Sequence, residues 1–279
     1  MNARYSLAGR EVDRVGYGTM QLPGDGVFGP PADRDAAIAV LRRARELGVD
    51  HFDTSAYYGP WVANELLREA LHPYEGMTIV SKVGGRRGPD ASWIDASTPP
   101  ELAWGIDENL IGLGVDRIDV MNLRLMRADD AAFDAKLGVL ADAVRAGKVG
   151  AVGLSNVGLA ELDRAAELRV DVACVQNRYA LTFREHEALL QACAARGIAF
   201  VPFFPLDFGR VAGNEVVRRI AARVGATPAQ VGLAWLLAHA PNLLLIAGTS
   251  SLVHLEENVA VREIELSEED VAALDAVSA

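Results

Sequence analysis

Short apolar runs alternate with amphipathic segments along nearly the whole chain, and this alternation restricts the fold more than any single motif. The runs RVGYGTM, VDHFDTS, MTIVSKV, IDVMNLR, VGAVGLS, VACVQNR, IAFVPFF and LLLIAGT read as strands. They are apolar on both faces, as strands buried in a parallel sheet must be. Between them, Ile38, Leu41, Ala44 and Leu47 recur with helical period until Gly48 stops them. Thr98 before Pro99 and Pro100 reads as the N-cap of a helix through Asn109, and Thr227-Pro228 opens another through Leu233 and Leu237. Phe133, Leu137, Leu140 and Val144 mark a further apolar face, as do Leu159, Leu162 and Ala166, and Val216, Ile220 and Val224. Eight strands, most followed by a helix, predict an α/β fold of the closed (β/α)8 kind, a TIM barrel. The opening YSLAGREVDR reads as a short N-terminal β-hairpin covering the barrel floor. An open doubly wound sheet would place a GxGxxG turn and a helix after the first strand, and GYGTMQLPGDGVFG has neither. No linker interrupts the pattern, so residues 1–279 read as a single domain.

At 51% hydrophobic the chain can bury a large core. Its charge of −11 argues against a nucleic-acid surface but not against an anionic cofactor, which backbone N–H groups can hold on an acidic protein. No run of about 20 apolar residues predicts a membrane span, and the N-terminus lacks an apolar signal-peptide stretch. Cys174 and Cys193 read as core thiols suited to a reducing cytoplasm. The five histidines show no metal-binding spacing, so no metal site is expected. The oligomeric state is open, with a monomer as the first expectation.

In a barrel, chemistry should gather at the C-terminal ends of the strands. Asp53 ends the second strand, Tyr58 lies just beyond it, and Lys82 ends the third. Arg124 ends the fourth strand, Ser155 and Asn156 the fifth, Gln176 the sixth and Phe203 the seventh, with Gly248 to Ser251 after the eighth. A phenol, an ammonium and a carboxylate in one place have a chemical logic. A nearby lysine favours the phenolate, an aspartate keeps the lysine charged, and the tyrosine protonates a developing alkoxide. Phe28, Trp93 and Phe208 fall in loops at the same mouth, where aromatic residues line pockets.

The segments FDTSAYYG, IVSKVG, GLSN, VQNRY and GTSSLVHLEEN together resemble the aldo-keto reductase family, in the family's order and over nearly the whole chain. GYGTMQLPG, DVMNLR and VPFFPL point within it to a bacterial branch of pyridoxal reductase-like oxidoreductases. The resemblance implies a (β/α)8 barrel transferring a hydride from NADPH to a small-molecule aldehyde or ketone. It implies Asp53, Tyr58 and Lys82 as catalytic residues, the spacing from Asp53 selecting Tyr58 over Tyr57. At the family's usual histidine this chain has Arg124, a charged fork that can hold a carbonyl oxygen but cannot relay a proton. Its alternative is to turn aside and pair with Asp129 or Asp130. The resemblance also implies Ser155, Asn156 and Gln176 on the nicotinamide carboxamide and Phe203 stacked on its ring. Phosphate and adenosine contacts fall to Leu206, Gly248, Thr249, Ser250, Ser251, His254, Glu257 and Asn258. Gly248 and His254 stand where many relatives carry a lysine and an arginine for the 2′-phosphate, so NADPH is the first expectation and NADH the second. A cofactor-binding scaffold with little turnover is the competing function.

Overall fold

A computed structural model describes residues 4–127 and 132–277. Strands β1 (Arg4–Leu7) and β2 (Arg10–Asp13) form the expected antiparallel hairpin. Its turn, Ala8-Gly9, holds both residues at positive φ (52° and 77°), the twist that suits a two-residue hairpin loop. The remaining strands are β3 (Tyr17–Gly18), β4 (His51–Asp53), β5 (Thr78–Arg87), β6 (Trp93–Ala96), β7 (Ile118–Arg124), β8 (Val149–Ser155), β9 (Val172–Gln176) and β10 (Ala199–Phe200). Seven of these form a parallel sheet in the order β10-β9-β8-β7-β5-β4-β3. The segment after the last of them touches both edges. Leu244 N–H donates to Phe200 O (2.9 Å), Leu245 N–H to Arg14 O (2.8 Å), and Gly16 N–H to Leu245 O (2.8 Å). Parallel bridges join Phe200 to Leu243 and Val15 to Leu245.

Two apolar layers hold this sheet. Val80, Val120, Ala199, Val201 and Leu244 pack together inside it, and hairpin residues Leu7 and Val12 join them, plugging one end. The larger cluster lies between the outer sheet face and the helices, with Trp235 and Phe200 among its fully buried side chains. Local signals set the helix ends as expected. Thr98 and Glu101 form a capping box on helix Pro99–Leu113, and Thr227 caps helix Pro228–His239. The first of these runs past Asn109 to Leu113, where Gly114 turns left-handed.

Three expectations need correction. Phe203 does not end the seventh strand: β10 stops at Phe200, and Phe203 follows in the loop. Lys82 does not end its strand: β5 continues to Arg87 and pairs antiparallel with β6. Trp93 therefore stands on a strand and not in a loop. The bend between the two parts of β5 is at Gly84, where φ is 112° and an added Cβ would lie 2.2 Å from the Arg124 carbonyl oxygen.

His51, opening β4, is fully buried with no hydrogen-bond partner for either ring nitrogen. Burial, the largest influence, lowers its pKa from the ordinary 6.5 to about 4. The unfolded chain therefore takes up this proton first as the pH falls. We expect stability to drop by roughly 1.4 kcal/mol per pH unit from this group between pH 6.5 and 4, and to level off below. Urea titrations of the parent and His51→Leu across that range should differ by this slope; parallel curves would contradict it.

Candidate active site

The sheet register places the polar strand ends side by side. Arg124 pairs with Ser155, and Ser155 with Gln176. Gly18 pairs with Asp53 on the other flank. Because paired residues of adjacent parallel strands face the same way, these side chains converge on one mouth. One step below, Gly153 lies between Asn122 and Cys174. An added Cβ there would meet Asn122 Oδ1 at 2.2 Å and Cys174 Sγ at 2.9 Å, so the glycine makes room for both beneath the site.

Lys82 and Asp53 form a buried ion pair, each residue 2% exposed. The ammonium also donates to Thr54 O (3.0 Å), and the Gln176 amide donates to Asp53 Oδ2 (2.9 Å). The turn carrying Tyr58 is fixed by Asn109, whose Oδ1 accepts from Ala56 N–H (2.9 Å), Asn64 Nδ2 (3.0 Å) and Ser81 Oγ (2.6 Å). The Lys82 ammonium then lies 5.0 Å from the centre of the Tyr58 ring. Burial raises the Tyr58 pKa above the ordinary phenol value; the Asp53 carboxylate adds to this and Arg124 opposes it. Burial and the Asp53 carboxylate thus outweigh any pull of the nearby cations toward the phenolate. Asp53 answers the lysine's charge, and the buried phenol keeps its proton.

Tyr58 stands where two cavities meet. One, of about 330 Å³, is walled by Tyr57, Trp93, Met126 and Phe204, with Arg124 and Phe203 at its edge. Arg124 Nη1 donates to Ser155 Oγ (3.1 Å), and its guanidinium carbon lies 5.2 Å from the Phe203 ring centre. The guanidinium thus faces the cavity beside Tyr58. Asp129 and Asp130, its alternative partners, lie outside the described residues.

The second cavity, about 280 Å³, also takes in Tyr58, Gln176 and Phe203 and runs to Leu206, Gly248 and Asn258. The other expected cofactor residues divide. Asn156, at φ 59°, donates its amide to Leu125 O (2.7 Å), and Ser155 is engaged with Arg124. Thr249, Ser250, Ser251, His254 and Glu257 are not in the lining; the first three lead from Gly248 to helix Leu252–Ala260, which carries the other two. Ser251 caps that helix by accepting from His254 N–H (3.4 Å), and Thr249 Oγ1 accepts from Ser251 N–H (3.0 Å). Glu257 O accepts from Gln230 Nε2 (2.9 Å), and Asn258 Nδ2 donates to Ala247 O (3.5 Å). A groove with a flat aromatic wall at one end and a helix N-terminus near the other suits a dinucleotide, the ring at Phe203 and the phosphates toward the helix. Among the described residues, no group of three or more His, Cys, Asp or Glu could hold a metal ion.

Some residues of the mouth escaped sequence reasoning. Arg87 is 9% exposed, and its guanidinium donates to Gly26 O (2.9 Å), Val27 O (2.7 Å) and Ala91 O (2.7 Å). It also lies 4.0 Å from the Trp93 ring centre and 5.5 Å from that of Phe28. This one side chain fastens the loop around Phe28 to the β5–β6 hairpin that carries Trp93. Sequence spacing gave no sign of it, nor of Asn109, which looks like any polar helix residue.

The Aldo/keto reductase family model matches residues 14–279. The chain is 48% identical to pyridoxine 4-dehydrogenase of Escherichia coli, with 98% of each chain covered. It is 37% identical to an uncharacterised oxidoreductase of Schizosaccharomyces pombe, covering 95% of this chain and 86% of the relative. Among solved structures, a thermostable aldo-keto reductase in complex with the inhibitor epalrestat superposes with TM-score 0.85 at 29% identity, over 98% of both chains.

Proposed function

The chain belongs to the aldo/keto reductase family, and on that footing we propose that it interconverts an aldehyde and its primary alcohol, with NADPH as cofactor and Tyr58 as general acid. The observation that carries this reading is the position of Tyr58. A phenol kept protonated by burial stands at the junction of two cavities, over the Lys82–Asp53 pair. The dinucleotide, when bound, supplies the hydride. The chain's own residues do the rest. Phe203, Gln176, Ser155 and Asn156 seat the nicotinamide end. Leu206, Gly248, Asn258 and the segment through Thr249, Ser250, Ser251, His254 and Glu257 seat the phosphates and adenosine. NADPH is preferred and NADH is the alternative. We also read the sheet as a closed eight-stranded barrel in which Leu243–Ala247 supplies the last strand. The two bridges from that segment support this.

For the substrate, the 48%-identical relative suggests pyridoxal and pyridoxine. Pyridoxal carries an acidic ring hydroxyl next to its aldehyde. In the 330 Å³ cavity the flat ring has aromatic walls, and Arg124 can hold the ionised ring oxygen or the carbonyl oxygen. Two buried free thiols, Cys174 and Cys193, favour a reducing compartment, so we place the enzyme in the cytoplasm. No helix among the described residues is long and apolar enough to cross a membrane.

The direct test is to mix purified protein with pyridoxal and either reduced nicotinamide cofactor and follow cofactor absorbance. Absence of turnover with both would overturn the proposal. Arg124→Met should lower kcat/KM by roughly 10- to 150-fold, the value of one charge-assisted hydrogen bond. The loss should be smaller for an aldehyde without the ring hydroxyl if the guanidinium reads that oxygen. Full activity in Arg124→Met would remove Arg124 from the mechanism.

A further inference from the structure

Tyr57 adjoins the proposed acid, yet the reduction makes no use of it. Its ring packs edge-to-face on Tyr58 and Trp93, with centroids 5.3 and 5.9 Å away. Its buried hydroxyl has no hydrogen-bond partner. The neighbouring Ser55 hydroxyl donates to the Lys82 carbonyl (3.2 Å). A buried hydroxyl in that state loses its bonds to water and gains none in return.

A third cavity, about 240 Å³, shares only Tyr57 and Lys82 with the substrate cavity. Gly84, Gly85, Trp61 and Trp104 line it, the two indoles 51% and 67% exposed, with Arg86, Glu101 and Glu108 also in the lining. Of the two shared residues, Lys82 is pinned by Asp53 and by the Thr54 carbonyl. The Tyr57 hydroxyl has at most a weak interaction with Ser55, short of a well-formed hydrogen bond. Tyr57 is therefore the movable part of the partition, and rotation would release its hydroxyl toward solvent.

We infer that Tyr57 is a specificity-determining gate between the substrate cavity and a subsite formed by Trp61, Trp104 and Gly84–Gly85, and that this subsite takes the apolar arm of an aldehyde too long for the substrate cavity. The inference rests on the carbonyl-reducing reading of the site. An apolar arm gains from burial against the Trp61 and Trp104 indoles, by roughly fourfold in affinity per methylene. With the gate closed, that gain is offset by the work of displacing the Tyr57 ring from its two aromatic neighbours.

The test compares benzaldehyde, 4-ethoxybenzaldehyde and 4-butoxybenzaldehyde in the parent, Tyr57→Ala, Tyr57→Phe and the double variant Tyr57→Ala/Trp104→Ala. Tyr57→Ala should raise kcat/KM for the butoxy compound relative to benzaldehyde by roughly 10-fold or more. Tyr57→Phe keeps the wall and should keep the parent's ratio. Removing Trp104 as well should cancel most of the gain. Tyr57→Val replaces the alanine variant if the latter fails to fold. Binding of the unreactive 4-butoxybenzamide, followed by tryptophan fluorescence quenching, reads the subsite without turnover. It should tighten in Tyr57→Ala, while unsubstituted benzamide should not. An unchanged ratio together with unchanged butoxybenzamide affinity would overturn the gate. Failure of every aldehyde to react would count against the reductase reading alone, because the amide titration decides the gate by itself.

Discussion

Tyr58→Phe should lose about 100- to 10,000-fold in carbonyl reduction while keeping its affinity for the nicotinamide cofactor, the range expected for removal of a positioned general acid. The phenol touches the reaction only when the alkoxide takes a proton, so the loss should fall on kcat and not on cofactor binding. The direction of its pKa shift adds a pH signature. Burial and the Asp53 carboxylate raise the Tyr58 pKa, so the proton needed for reduction is present throughout the neutral range and reduction should vary little with pH there. Alcohol oxidation needs the deprotonated phenol and should accelerate as the pH rises. Stopped-flow reduction and an oxidation pH series on the parent and Tyr58→Phe would check both. Equal single-turnover rates in the two proteins would show that another group supplies the proton.

Lys82→Met should both destabilise the fold and lower activity. The ammonium and the Asp53 carboxylate are buried together, and removing one partner of a buried pair costs about 3–5 kcal/mol because the other charge is left behind. The Gln176 amide still donates to Asp53, but a neutral donor does not replace a cation. The two effects can be separated. Lys82→Met/Asp53→Asn carries no stranded charge and should regain most of the stability, as urea midpoints would register. Its turnover should stay low, by roughly 100-fold, if the ammonium stabilises charge developing beside Tyr58. Asp53→Asn alone keeps the lysine's bond to Thr54 O and should lose less activity than Lys82→Met. Recovery of turnover along with stability in the double variant would mean that the pair only supports the fold.

The site was readable in the sequence where one residue sits at one strand end. Asp53, Tyr58 and Arg124 needed only the strand pattern to be placed at the mouth, and the structure puts them there. Residues whose meaning depends on a partner were harder. Gln176 lies at the expected level, yet its amide is spent on Asp53, which reaches it from a strand not paired with its own. The apolar run that reads as the third strand gives out at Lys82. The chain instead bends at Gly84 and continues into a hairpin that only tertiary pairing reveals. The depth of burial that holds the Tyr58 proton in place is likewise a tertiary property. Sequence places the lysine and its carboxylate near the phenol, but not how deeply all three are buried.

The fastening made by Arg87 bears on how this mouth changes over evolutionary time. Its guanidinium is bonded to carbonyls from two stretches far apart in sequence, near Gly26 and near Ala91, and lies against an aromatic ring from each. A loop grafted from a relative at one stretch alone would strand a cation among unmet carbonyls. Residues 24–29, 87 and 91–93 are therefore one structural unit, and we expect them to be exchanged together. Exchange of substrate preference between members of this lineage should move all three together, or replace the arginine first.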